Sequence, residues 1–211
     1  MKSIWIKDFA MLWRVSRLPL LTFVCFLAAV AVTGQLLWCS VGIGVLAVMP
    51  HVLLEIDERG GWLRFLFSAP VRRRDYVAEK YLMSLVLLGG VFALALLVQG
   101  LRSLFVPTAG TPLGIAVGVC ALPGMLAPAV GLPFSLRFGA VKGRQLSSIL
   151  VTVLCMACGS FTGTYYNSPG DWSAALEQHR LLFALGGLVI GGGALLLSYC
   201  LSCRVMAKKE Y

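Results

Sequence analysis

The chain has 211 residues, of which 59% are hydrophobic and 13% charged, with eighteen basic and nine acidic side chains and a formal net charge of +9. A soluble domain carries about 25% charged residues, so this composition excludes a water-soluble enzyme and points to an all-α integral membrane protein. The basic residues sit at the ends of apolar runs, where orientation signals lie, and this placement argues against a nucleic-acid partner.

Residues 1–17, MKSIWIKDFAMLWRVSR, are too charged to span a bilayer. At a helical period, Trp5, Phe9, Leu12 and Trp13 share one face and Lys7 and Arg14 lie nearly opposite, which predicts an amphipathic helix in the cytoplasmic interface. A membrane helix needs about 20 apolar residues to cross ~30 Å of hydrocarbon. The first span is predicted over 18–33. Ala29 and Ala31 resemble a signal-cleavage site, but the preceding segment is long and aromatic for a signal sequence and more spans follow, so the helix reads as uncleaved. After a turn at Gly34 and Gln35, a second span covers 36–54. A polar segment follows over 55–81, and a third span covers 81–101. The fourth, 112–134, contains Pro112, Pro123, Pro128 and Pro133, which permit bending where neighbouring helices satisfy the freed carbonyls. A second basic segment, 135–145, is predicted as a loop. The fifth span covers 146–162, an aromatic and polar loop 163–180, and the sixth span 181–201, followed by a tail over 205–211.

Sixteen of the eighteen Lys and Arg residues lie in 1–17, 55–81, 135–145 and the C-terminal segment, with only Arg102 and Arg180 in the other loops. The positive-inside rule then places both termini and both basic segments in the cytoplasm, with a six-helix domain over 18–204. Gly114/Gly118 and Gly187/Gly191 put small residues on one helix face and allow close helix contact. The seven cysteines, Cys25, Cys39, Cys120, Cys155, Cys158, Cys200 and Cys203, all fall in apolar runs. The two C-x-x-C pairs lie at different membrane depths, so they read as small apolar packing residues and not as a shared zinc site.

No phosphate-binding G-x-x-x-x-G-K-[ST] run, nucleophile elbow or zinc-binding H-E-x-x-H occurs in the sequence. His51, near the inner end of span two, reads as a polar tip at the headgroup level, and His179 falls in an outer loop. Between their flanks the spans carry no charge, and Gln35 and Gln99 lie near outer ends, so an ion- or proton-coupled mechanism lacks its residues. No catalytic, cofactor or metal site is predicted on this chain, and energy is expected from a partner protein. The 55–81 segment holds six basic and five acidic residues. With Trp62, Phe65 and Phe67 beside these charges, and Pro70 breaking the chain, it suits a short amphipathic helix docking in a groove of a soluble subunit, and equally a solvated basic loop that satisfies the orientation rule.

The run D-E-R-G-G-W-L-R-F-L-F-S-A-P-V-R-R-R-D-Y-V-A-E-K-Y-L, residues 57–82, resembles the segment after the second helix in ABC type-2 transporter permeases. It is most similar to the compact bacterial group that includes exporters of phenol-soluble modulins and bacteriocin-like peptides. There an acidic D-E pair and an aromatic stretch precede a helix that begins with a Lys-Tyr pair. The run L-P-F-S-L-R-F-G-A-V-K-G-R, residues 132–144, is similar to the group's cytoplasmic loop between helices four and five. Two departures are Arg72 at a position usually held by Ser, and Ala140 and Val141 where an acid usually precedes Lys142.

The resemblance implies a non-catalytic permease subunit, multi-pass in a bacterial inner membrane. It would be a homodimer working with two copies of a separate ATP-binding subunit, which holds the ATP and magnesium. The segment 55–81 would contain a coupling helix. Trp62, Arg64, Phe65 and Phe67 would form its docking surface, oriented by Glu55, Asp57, Glu58, Pro70, Arg72, Arg73, Arg74, Asp75 and Tyr76. Arg137, Phe138, Gly139, Lys142 and Arg144 would form the second cytoplasmic element. The implied substrate is an amphipathic peptide or lipid-like molecule exported from the membrane or cell. Two other readings compete: a membrane binding or immunity protein without transport, and a membrane-embedded enzyme acting on lipid or peptide.

Overall fold

A computed structural model describes residues 2–15, 17–35, 38–68, 72–105, 113–167 and 170–208, without the side chains at 2–4, 13–15, 39, 64, 67, 103, 113, 162, 166–167 and 171–172. Among the described residues every regular element is a helix: α1 Lys2–Val15, α2 Arg17–Thr33, α3 Trp38–Ala47, α4 Met49–Arg59, α5 Trp62–Ser68, α6 Arg73–Phe105, α7 Leu113–Phe138, α8 Ala140–Asn167, α9 Asp171–Gln178 and α10 Arg180–Lys208. Five stretches are long and apolar enough to cross a membrane: Ser40–Arg59, Arg73–Arg102, Gly114–Phe138, Ala140–Tyr165 and Arg180–Lys208. A sixth follows if Trp5–Leu12 and Arg17–Thr33, which meet at 69°, count as one broken span.

The 17 residues of α2 extend about 26 Å at 1.5 Å per residue, slightly short of the hydrocarbon thickness, so the predicted first span needs its bent neighbour or a thinned bilayer. Helix α6 is 33 residues long, or about 50 Å, and starts eight residues before the predicted third span. That extra length carries Tyr76, Glu79 and Lys80 into a protein-lined setting, where they are buried.

Helix α7 is the central element, packing against α8, α3 and most extensively α10. It stays helical through Pro123, Pro128 and Pro133. Each proline removes an N–H and frees the carbonyl four residues earlier. Two of those carbonyls are claimed by neighbours. The Cys158 thiol of α8 points at the Val119 carbonyl at 3.7 Å, and the Ser198 hydroxyl of α10 donates to the Ala129 carbonyl. Cys158 is therefore more than filler, because it serves a proline-freed acceptor. The glycine pairs bring α7 and α10 together. A Cβ on Gly187 would lie 3.1 Å from the Gly118 carbonyl oxygen, and one on Gly118 would lie 2.6 Å from the Phe183 ring.

Residues 135–145, expected as a loop, are instead two helix ends meeting at Gly139. Its φ of +100° lies where only glycine is unstrained, so one residue reverses the chain between α7 and α8. The segment 163–180, expected as an outer loop, is also largely helical: α8 runs to Asn167 and α9 occupies Asp171–Gln178. It is held by a hydrogen bond from the Tyr165 hydroxyl to Glu177 at 2.7 Å. The start of α1, the whole of α5, the start of α6 and the end of α10 share one end of the bundle, joined by the contacts described next.

Candidate functional site

Helix α4 ends at Gly60, and Gly61, with φ +67°, turns the chain into α5. The seven residues of α5 place Leu63 and Leu66 three apart, on one face, and both are buried at 4% and 5% exposure. They join Leu54, Tyr76, Leu132, Leu136 and Met206 in a common apolar core. Burying two leucines contributes about 1.5–3 kcal/mol each, which fixes a helix too short to be stable alone. On its outer side Phe65 is 65% exposed. Trp62 is half-buried, its ring centroid 5.3 Å from that of Phe65 and 4.7 Å from the Lys7 ammonium above it. Trp62 thus lies beside Phe65 and also fastens α5 to α1. Side chains at Arg64 and Phe67, and all of Pro70, lie outside the described residues.

The base of α5 is held by a buried charge cluster. Asp57 is 1% exposed. Its carboxylate accepts from Lys7 of α1, from Lys80 of α6 at 3.0 Å and from the Tyr76 hydroxyl at 3.0 Å. Asp8 closes the circuit, pairing with Lys80 and lying 3.0 Å from Lys7. Glu79 sits 3.7 Å from Lys80 and faces the Asp8 carboxyl. Three helices, α1, α4 and α6, are therefore tied at one point beneath α5.

A second connection runs to α8. The Glu58 carboxylate accepts the Ala140 backbone N–H at 2.7 Å, capping from another helix the first turn that Gly139 leaves open. Glu55, buried at 5% exposure, receives Arg59 at 2.7 Å and Arg144 of α8 at 2.7 Å. Below these, His51 is fully buried between α4, α7 and α8. Its Nδ1 lies 3.0 Å from Ser135 Oγ and its Nε2 3.1 Å from Ser147 Oγ. Ser135 donates its own proton to the Gly131 carbonyl at 2.8 Å, so the network assigns the ring hydrogen to Nδ1 and makes Nε2 the acceptor from Ser147. The headgroup-tip expectation for His51 is corrected: polar partners on α7 and α8 allow it to sit inside the protein.

The predicted residues thus divide by position. Phe65, Arg72, Arg74, Arg137, Phe138 and Lys142 are exposed, whereas Glu55, Asp57 and Tyr76 face inward. Arg73 donates to the Met206 carbonyl at 3.0 Å, joining α6 to α10, and the Asp75 backbone N–H bonds the Arg72 carbonyl at 3.0 Å at the start of α6. The Tyr81 hydroxyl bonds Ser198 at 2.5 Å and Ser202 at 2.8 Å. Lys7, Asp8, His51, Ser135 and Ser147 escaped sequence reasoning as members of this site. Asp8 had one usable signal: it is the only acid before Glu55, set in a basic, membrane-adjacent segment where an unpaired carboxylate is costly.

The two stretches that carried the family resemblance, 57–82 and 132–144, therefore meet in space: Glu58 of the first receives the Ala140 N–H of the second, and Leu63, Leu66 and Tyr76 share a core with Leu132 and Leu136. No curated protein and no solved structure matches the chain. Residues 3–207, nearly its whole length, match the family described as ABC-2 family transporter protein. The chain belongs to the ABC-2 transporter family and is a multi-pass membrane permease of that class.

Proposed function

We propose that the chain is the membrane-spanning subunit of an ATP-driven exporter of amphipathic substrates, peptides first among them, and that α5 receives the stroke of a separate ATP-binding subunit. The observation that carries this reading is the build of α5: an exposed aromatic tip on a base locked by Leu63, Leu66 and the Asp57 cluster. A partner pressing on Phe65 displaces α1, α4 and α6 together through Asp57, and α8 through Glu58 and Glu55. Such ties transmit motion as a unit because packed, ion-paired elements shift between discrete arrangements and do not deform smoothly. The basic end of the bundle faces the cytoplasm, as charge bias requires. Two permease copies and two ATP-binding subunits complete the transporter in a bacterial inner membrane, with ATP and magnesium held by the partner.

A cavity between α3, α6, α7 and α10 supports an apolar cargo. It measures about 380 Å³ and is lined by Ile43, Leu88, Phe92, Val117, Met125 and Leu188 among others, with no charged side chain among the described residues. That chemistry takes an aliphatic or aromatic side chain, or a stretch of acyl chain, and rejects ions. The test is reconstitution of the permease with its ATP-binding subunit in proteoliposomes, measuring ATP hydrolysis and movement of a fluorescent amphipathic helical peptide. ATP-dependent transport lost with Phe65→Ala is the expected result. Peptide movement without the ATP-binding subunit, or hydrolysis indifferent to the permease, would overturn the reading.

A further inference from the structure

The excess positive charge at the α5 end of the bundle is gathered in one place. A groove of about 800 Å³ between the start of α6 and the end of α10 is lined by Arg72, Arg73, Arg74, Tyr199, Cys200, Cys203, Arg204 and Ala207. A second groove of about 420 Å³ adjoins it across Arg204 and adds Arg137 and Lys208. Among the described residues no carboxylate lines either one. The acids at this end are engaged elsewhere: Asp8, Glu55, Asp57 and Glu79 lie in ion pairs with Lys7, Arg59, Lys80 and Arg144. Glu58 caps α8. Among the described residues Asp75 alone remains, near Tyr199. None of the ion pairs among the described residues uses Arg72, Arg74, Arg137, Arg204 or Lys208. Clustered guanidinium groups of this kind call for a multivalent anion, and a phosphate matches the planar, forked donors of arginine.

The rest of the groove says where that phosphate comes from. Along α10, Leu196, Cys200, Arg204 and Lys208 recur every four residues and are all exposed, which places them in one stripe on the helix. Its upper half is apolar, with Leu196 70% and the adjacent Leu197 71% exposed, and its lower half is basic. An acyl chain fits beside the leucines while its headgroup reaches the arginines. A soluble anion has no use for the apolar half. We propose that this groove is a binding site for an anionic phospholipid of the leaflet at the α5 end, with Arg72, Arg74 and Arg204 holding the headgroup phosphate and Arg73 setting the groove width through its bond to Met206.

Binding is read on the full-length chain alone, so the result is independent of the transport reading. The detergent-purified protein is titrated with phosphatidylglycerol, phosphatidylcholine or soluble glycerol 1-phosphate and the bound species are counted by native mass spectrometry. Phosphatidylglycerol is expected to bind tightly and the other two weakly. Each basic side chain near an anionic lipid contributes about fivefold in affinity, so R72Q/R74Q/R204Q is expected to lose on the order of a hundredfold. The R72K/R74K/R204K triple keeps the charges but loses the forked donors and is expected to fall between the parent and the glutamine triple; if the glutamine triple fails to fold, R204Q alone, expected to lose about fivefold, decides the matter. Equal binding of phosphatidylglycerol and phosphatidylcholine would overturn the proposal, as would glycerol 1-phosphate binding as well as the lipid. Unchanged phosphatidylglycerol affinity in the glutamine triple, with loss of a copurifying ATP-binding subunit, would make the groove a protein contact and also overturn it.

Discussion

Asp57→Asn is the most revealing single change in the charge cluster. The carboxylate holds Lys7, Lys80 and Tyr76, and both Asp57 and Lys80 are almost fully buried, at 1% and 3% side-chain exposure. Removing one partner from a buried ion network costs about 3–5 kcal/mol, because the remaining charge is stranded. Asp8 still contacts both lysines, so the cost belongs at the low end, about 3 kcal/mol. For a chain of this size each kcal/mol corresponds to about 2–4 °C in Tm, giving a fall of about 6–12 °C. The internal control is Glu79→Gln. Glu79 is the third carboxylate against two ammonium groups, makes the longest contact and faces a second carboxyl, Asp8. Its neutralisation is expected to leave Tm unchanged or to raise it slightly. The assay is thermal unfolding of the chain in nanodiscs, followed by intrinsic tryptophan fluorescence. A loss below about 3 °C for Asp57→Asn, or an equal loss for Glu79→Gln, would refute the assigned cluster.

Other consequences follow from the same geometry. Gly131→Ala places a Cβ 1.9 Å from Ser147 Oγ and 2.6 Å from the His51 ring, so it should cost about 1–3 kcal/mol by overpacking and appear as a lowered Tm. His51→Ala withdraws both serine partners' ring contact and should cost a similar amount, about 1–3 kcal/mol, in the same assay. Gly118→Val drives a side chain into Phe183 and should separate α7 from α10, seen as a loss of folded protein by size-exclusion chromatography in detergent. Phe65→Ala, at an exposed position, should leave Tm within about 0.5 kcal/mol-equivalent of the parent while abolishing copurification of the ATP-binding subunit.

Much of the architecture could be read from the sequence because hydrocarbon imposes long apolar runs and charge marks their ends. A short helix within 55–81 is legible in its aromatic and charged residues, but the turn at Gly60 and Gly61 is not; the expected break, Pro70, lies outside the described residues. The limits of the reading were also physical. Charge was taken as a sign of water exposure, yet Tyr76, Glu79 and Lys80 extend α6 inside the protein, because Asp8 and Asp57, distant in sequence, neutralise the lysine there. The basic run 135–145 predicts a loop. A single left-handed glycine suffices for the reversal, and Glu58 caps the helix that follows. His51 was placed at the lipid headgroups because its partners, Ser135 and Ser147, lie on helices that no local pattern could bring to it. The prolines of α7 were recognised as needing help from neighbours, but Cys158 and Ser198 could be identified as that help only in three dimensions.

The central claim is that α5 docks a separate ATP-binding subunit through Phe65. It is tested most directly by placing the photo-crosslinking residue p-benzoylphenylalanine at position 65 in the native host, with position 105 as control. Phe105 is 81% exposed at the far end of α6, so any contact there is made at the opposite end of the bundle. An ultraviolet-dependent adduct with the ATP-binding subunit at position 65, and none at 105, is the expected result. No adduct at 65, or equal adducts at both positions, would contradict a docking role for α5.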